Sequence, residues 1–277
     1  MKSTTTSGEV ELHYSVLGSG PPLLLIAGTG YPGATWPPEL INPLARDFSV
    51  ITYDHRGTGT SQGSHDPYST RLFAEDAVRV LDAIDRGPAD VVGHSMGGRV
   101  AQWLAYLKPD RVKNLVLAAT GAGRSTTRDQ GANCIPTKTV VRLVDLGYEG
   151  FIRDRQRRTF FTEEFAEAHP AIVDWLGDAF WDNRPSLADY LKHVIARQTH
   201  DSGEVLSAIG QPTMVLVGDR DTHPGDTGSH LAQSQYLASH MPNAHLVTLH
   251  GMRHGFFWQD PTSSVQAIGE WLTNDRE

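Results

Sequence analysis

Short apolar runs alternating with amphipathic helical segments predict an α/β chain, built on a doubly wound, mostly parallel sheet with an inserted helical cap. Three observations carry this. Leu23 to Ala27 is a continuous apolar run, the pattern of a strand buried on both faces of a parallel sheet rather than half exposed. Runs of this kind recur with Gly-containing turns and helical patterns between them. Residues 121–209, in contrast, hold helical patterns and no convincing strand.

Taken in order, Glu9 to Val16 alternates as an edge strand does, Leu23 to Ala27 is the first buried strand, and Ser49 to Tyr53 is another. Phe73, Ala77, Val80, Leu81 and Ile84 recur at helical spacing and stop near Gly87-Pro88. Ala89 to Val92 forms a short strand running into Gly93, and a helix follows from Ser95 to Leu107, ended by Pro109. Asn114 to Ala119 is again apolar. Helical stretches are then expected at Thr139–Leu146, Glu149–Arg158, Glu163–His169, Ala171–Trp181 and Leu187–Arg197. The alternation resumes with a strand at Thr213–Val217, a helix at Gly228–His240, a strand at His245–Leu249 and a helix at Ser264–Trp271. The core is therefore expected in residues 1–120 and 210–277, and the helical cap in residues 121–209.

Composition narrows the function. The 24 basic against 32 acidic residues leave a formal charge of −8, which argues against nucleic acid as a general partner. The one cysteine, Cys134, cannot form an intrachain disulfide, and Asn133, Ile135 and Pro136 around it supply no activating pattern. The N-terminal Met1 to Thr6 lacks the apolar segment of a signal peptide, and no apolar run approaches bilayer length. A cytoplasmic protein without membrane attachment is expected. No metal-ligand spacing, dinucleotide motif or Walker motif occurs, so neither metal nor cofactor is expected.

The chemistry concentrates at Gly93-His94-Ser95-Met96-Gly97, between a predicted strand and a predicted helix. A serine hydroxyl is a weak nucleophile until a base takes its proton. A sharp strand-to-helix turn lifts it above the sheet edge and brings backbones so close that small residues are needed two positions either side. The helix start also offers the backbone N–H of Met96 to a developing oxyanion. The base is expected far downstream, after the last strand, where His254 lies five residues past Leu249. His250 is its rival, placed directly at the strand end. The acid is expected after the strand that follows the cap. Asp219 and Asp221 are both candidates there, and Asp226 is a more distant third.

These stretches resemble the α/β-hydrolase family. Tyr53-Asp54-His55-Arg56-Gly57-Thr58-Gly59-Thr60-Ser61 is similar to its Asp-x-Arg-Gly-x-Gly-x-Ser turn. Gly218-Asp219-Arg220-Asp221 resembles the Gly-x-x-Asp carrying its acid, and Gly251-Met252-Arg253-His254 its histidine loop. Ala27-Gly28-Thr29-Gly30 matches its His-Gly-x-Gly string with Ala27 in place of the histidine. The likeness extends over nearly the whole chain and is greatest to carboxylesterases, 3-oxoadipate enol-lactonases and cofactor-free haloperoxidase-like esterases.

The resemblance implies Ser95 as nucleophile, Asp221 as acid and His254 as base, with the N–H groups of Thr29 and Met96 as the oxyanion hole. The expected activity is hydrolysis of a small carboxylic ester or lactone through an acyl-enzyme, rising with pH around roughly 6–7.5 as an ordinary histidine loses its proton. C–C bond hydrolysis of a β-diketone-like substrate and perhydrolysis use the same residues, and a capped-pocket ligand receptor is the alternative from another class. The expected partner is a small-molecule substrate; a homodimer is left open. Asp54 and Arg56 are expected to be scaffold, and Arg153, Arg155, Arg157 and Arg158 to form a solvated helix face. Nine of the chain's 23 aromatics lie in the cap, enough to give it a core of its own.

Overall fold

The computed structural model, which describes residues 2–5, 10–123, 135–222 and 229–274, places eight strands in one sheet. They are β1 (Lys2–Thr5), β2 (His13–Leu17), β3 (Pro22–Ile26), β4 (Ser49–Tyr53), β5 (Ala89–His94), β6 (Val112–Ala118), β7 (Thr213–Gly218) and β8 (Ala244–Leu249). Their spatial order is β1-β2-β4-β3-β5-β6-β7-β8. The β1/β2 and β2/β4 pairs are antiparallel and every later pair is parallel.

The continuous apolar run of β3 has the two-faced burial it predicts. Leu24 and Ile26 join a core with Phe73, Ala77 and Val100 on one face. Leu23 and Leu25 join the other core, with Leu40, Leu44 and Leu272. Helices α2 (Thr70–Ile84), α3 (Met96–Leu107) and α8 (His230–His240) supply the first layer. Helices α1 (Pro38–Leu44) and α10 (Pro261–Asn274) supply the second. Such a sheet buries apolar side chains on both sides because the winding reverses after β4, which puts α1 on one face and α2, α3 and α8 on the other.

Between β6 and β7 the described chain contributes four α-helices, α4 (Thr137–Phe160), α5 (Glu163–Ala168), α6 (Pro170–Asp182) and α7 (Leu187–Gln198), and no strand beyond an isolated antiparallel bridge between Gly123 and Asp201. Gly147, at φ +67°, breaks the helical backbone inside α4, between the two segments the sequence predicts there. Phe151, Phe160, Phe180 and Tyr190 from these helices are buried in the same core as α1 and α10, so the insertion packs onto the sheet domain directly.

Three elements were not expected. The strand β1 is four polar residues at the sheet edge, and α1 contains Pro38 and Pro43, which read as turn signals. The third, α9 (Phe256–Gln259), is a single turn. Cys134, Asp226, Gly228 at the start of one predicted helix and Glu9 at the start of a predicted strand lie outside the described residues. No helix among the described residues is long and apolar enough to cross a membrane.

Candidate active site

The chain leaves β3 to build β4 on one side, then returns to build β5 on the other, so a crevice opens at the carboxyl ends of these strands. Ser95 stands at the end of β5 with φ +57° and ψ −117°, a strained conformation for a residue with a side chain. The surroundings hold it there. Its N–H donates to the Ala118 carbonyl at 2.8 Å, and its own carbonyl accepts from Gly98 N–H at 3.1 Å and Thr120 Oγ1 at 2.6 Å.

The flanking glycines are demanded by contact. A Cβ on Gly93 would stand 2.4 Å from the Gly97 carbonyl oxygen, and one on Gly97 would stand 2.0 Å from that of Ile26. The Gly28 turn after β3 also closes on the serine, since a Cβ there would lie 3.4 Å from Ser95 Cβ. Thr29 and Met96 are buried beside this turn and at the first position of α3.

His254 and Asp221 arrive from the loops after β8 and β7. His254 Nδ1 donates to Asp221 Oδ2 at 2.8 Å, and both side chains are 3% exposed. Burial alone would raise the Asp221 carboxyl, but His230 and His254 beside it hold it well below the usual carboxylate range. Burial lowers His254 to about 4, opposed by Asp221 and reinforced by His230 and Arg155. That is below the range expected of an ordinary histidine, and desolvation of the charged ring is the reason. Ser95, Asp221 and His254 line one cavity of about 310 Å³. Among the described residues no hydrogen bond joins Ser95 Oγ to the imidazole; such bonds are often long before substrate binds.

The rival residues sit elsewhere. His250 is 99% exposed, with its Nδ1 2.7 Å from Asp219 Oδ2. Asp219 also accepts the Gly251 N–H at 2.8 Å, which makes it a support of the histidine loop. Asp54 accepts Gly33 N–H and Thr60 N–H, while Arg56 makes a buried bidentate pair with Asp76 at 2.6 and 2.7 Å. The two expected scaffold residues therefore each hold a different part of the structure.

Two contacts fix the histidine loop from below and above. His94 Nε2 meets the His254 carbonyl, and the Gly255 N–H donates to the Phe160 carbonyl at 2.8 Å, tying the loop to the end of α4.

Sequence reasoning missed His230. Ser229 caps α8 and places His230 at its first position, with Nδ1 3.3 Å from Asp221 Oδ1 and its ring 4.3 Å from that of His254. No local motif marks it. One ligand atom each from Asp221, His230 and His254 falls within 4.8 Å of the others, a donor set of the kind zinc accepts. This cluster is assembled from two loops and the start of α8, so a search for local metal spacing does not find it. The arginine cluster also needs correction: Arg153 pairs outward with Glu149 and Asp178, but Arg155 turns inward, its Nη1 2.6 Å from Tyr190 Oη.

Comparison with known proteins identifies the family and the fold. The model of a family described as alpha/beta hydrolase fold matches residues 21–261. A protein of Pseudomonas syringae pv. syringae, provisionally named carbamate hydrolase RutD, is 30% identical over 264 residues, covering 95% of this chain and 98% of that protein. Among solved structures, a hydrolase from Pseudomonas aeruginosa superposes with a TM-score of 0.83 at 24% identity, over 98% of each chain. The enol-lactonase from Burkholderia xenovorans superposes with 0.82 at 24%, over 98% of this chain and 100% of that one. With the family model spanning most of the sheet domain and the insertion, this chain is an enzyme of the alpha/beta hydrolase fold family.

Proposed function

We propose that this enzyme is a serine hydrolase that cleaves a small carboxylic ester or lactone through an acyl-enzyme, with Ser95, His254 and Asp221 as its triad. The observation that carries the reading is the 2.8 Å bond from His254 Nδ1 to Asp221, in the cavity that Ser95 also lines. That bond leaves Nε2 as the basic nitrogen. Ser95 Oγ attacks the carbonyl carbon as Nε2 takes its proton, and the N–H groups of Thr29 and Met96 receive the oxyanion. The imidazolium gives its proton to the departing alkoxide. Water then attacks the acyl-enzyme, losing a proton to His254, and the acid and free Ser95 are released.

In this reading helices α4 to α7 form a cap, which supplies Phe151, Tyr190 and Val194 to the cavity wall. A cavity of about 310 Å³ suits a small acyl group. The Pseudomonas syringae relative favours a second reading, attack on a carbamate carbonyl by the same residues. The test is Ser95→Ala, assayed on aryl acetate and aryl carbamate. Turnover should fall by at least about 10³-fold and fluorophosphonate labelling should vanish. Labelling and activity retained in that variant would remove Ser95 from the mechanism.

A further inference from the structure

We infer that the substrate carries an anionic group, a carboxylate, bound on the cap side of the cavity around Arg155. This rests on the hydrolase reading above and names the substrate class for the same cavity.

The cavity inverts the charge of the chain. The whole sequence is acidic, with 24 basic against 32 acidic residues. The described lining of the cavity has six cationic side chains, Arg99, Lys138, Arg142, Arg155, Arg158 and Arg197, against two carboxylates, Asp154 and Asp221. Both carboxylates are shared: Asp154 meets Arg142 and Arg158, and Asp221 meets His230 and His254. Among the described residues, cationic side chains therefore outnumber carboxylates on the cavity wall. Low-dielectric walls focus the field of such an excess and raise the local concentration of anions.

Arg155 is the residue best placed to use it. Its Nη1 is fixed at 2.6 Å by the phenol oxygen of Tyr190, a fully buried side chain, so the guanidinium is held before substrate arrives. Its charge reaches His254, where it helps lower the imidazole. A planar guanidinium offers paired donors that match a carboxylate. An acyl chain covalently held at Ser95 and ending in a carboxylate would meet both groups within one small cavity.

The test compares mono(4-nitrophenyl) glutarate, an anion, with 4-nitrophenyl pentanoate, a neutral ester of similar length. At low salt kcat/KM for the anion should exceed that for the neutral ester by about tenfold or more, mainly through KM, as a hydrogen bond to a charged group implies. The ratio should fall towards one in Arg155→Met and in high salt, and recover in part in Arg155→Lys. A ratio at or below one in the wild type, or one unchanged in Arg155→Met, overturns the inference. Should Arg155→Met fold poorly, the salt dependence in the wild type decides alone. Should neither ester turn over, glutarate binding to Ser95→Ala by calorimetry decides, with absence of binding as the overturning result. Fluorophosphonate labelling of Ser95 in the same preparation separates failure of this inference from failure of the hydrolase reading.

Discussion

His94 donates from Nε2 to the main-chain carbonyl of His254 across 2.9 Å, so the residue before the proposed nucleophile supports the loop of the proposed base. Burial holds His94 neutral, at about 3, within a shell of Trp36, Phe160, Phe257 and Trp258 rings. His94→Phe keeps the ring and removes the donor. It should lower kcat by about ten- to 10²-fold through misplacement of His254, with KM nearly unchanged. His94→Gln, which keeps an N–H, should recover part of the loss. Steady-state kinetics on an aryl ester would show this, and an unaltered kcat in a folded His94→Phe protein would refute it.

The two aspartates after β7 should separate sharply. Asp221→Asn should reduce turnover by about 10³–10⁴-fold in a folded protein, since an amide favours the wrong tautomer of His254. Asp219→Asn loosens the Gly251 N–H contact and should cost tenfold or less, on the order of a lost supporting hydrogen bond. Parallel assays, with circular dichroism to confirm folding, decide between them; the reverse ranking would transfer the acid role to Asp219.

Acid should act on stability before it acts on the base. His55, His94, His193, His200 and His254 are buried and all lowered from the ordinary histidine value, chiefly by desolvation. The unfolded chain takes up these protons near pH 6.5 while the folded chain refuses them, so stability is lost as pH falls below that value. Each histidine that stays neutral contributes a slope of about 1.4 kcal/mol per pH unit. The urea midpoint should drop steeply from pH 7 to pH 5, and a flat midpoint would contradict this. Activity of the surviving folded enzyme should hold across the same range and decline only as His254 is protonated around pH 4.

Gly97→Ala should destabilise by about 1–3 kcal/mol or more, because the new methyl would meet backbone oxygen rather than a side chain that can turn away. Thermal melting and fluorophosphonate labelling should decline together. A variant as stable and as reactive as the wild type would show that the turn can widen.

Turnover should survive EDTA, because the proposed oxyanion donors are backbone N–H groups and the proposed nucleophile is a serine. Activity lost to EDTA and restored by zinc would instead give Asp221, His230 and His254 the role of metal ligands.

The sheet and the Ser95 turn were legible in sequence because their causes are local. Two-faced burial writes itself as an unbroken apolar run, as at Leu23 to Ala27, and close backbone approach writes itself as glycine, as at Gly93 and Gly97. Chain order and loop position brought Asp221 and His254 into view, and the structure joins them. His230 was hidden because it meets Asp221 through packing of α8 against the loop, which leaves no spacing rule behind. Arg155 was hidden for a related reason. Alternating charges along α4 look like a solvated face until the helix's rotation against Tyr190 is known.

The hydrogen bond from Gly255 to the Phe160 carbonyl makes the insertion and the histidine loop one mechanical part. A Cβ on Gly255 would stand 2.6 Å from Phe160 Cβ, so neither partner has slack in which to shift alone. Any exchange of helices in the insertion to admit a larger molecule therefore moves the imidazole as well. Grafts that redraw specificity should keep the last turn of α4 in place and vary the wall upstream of it.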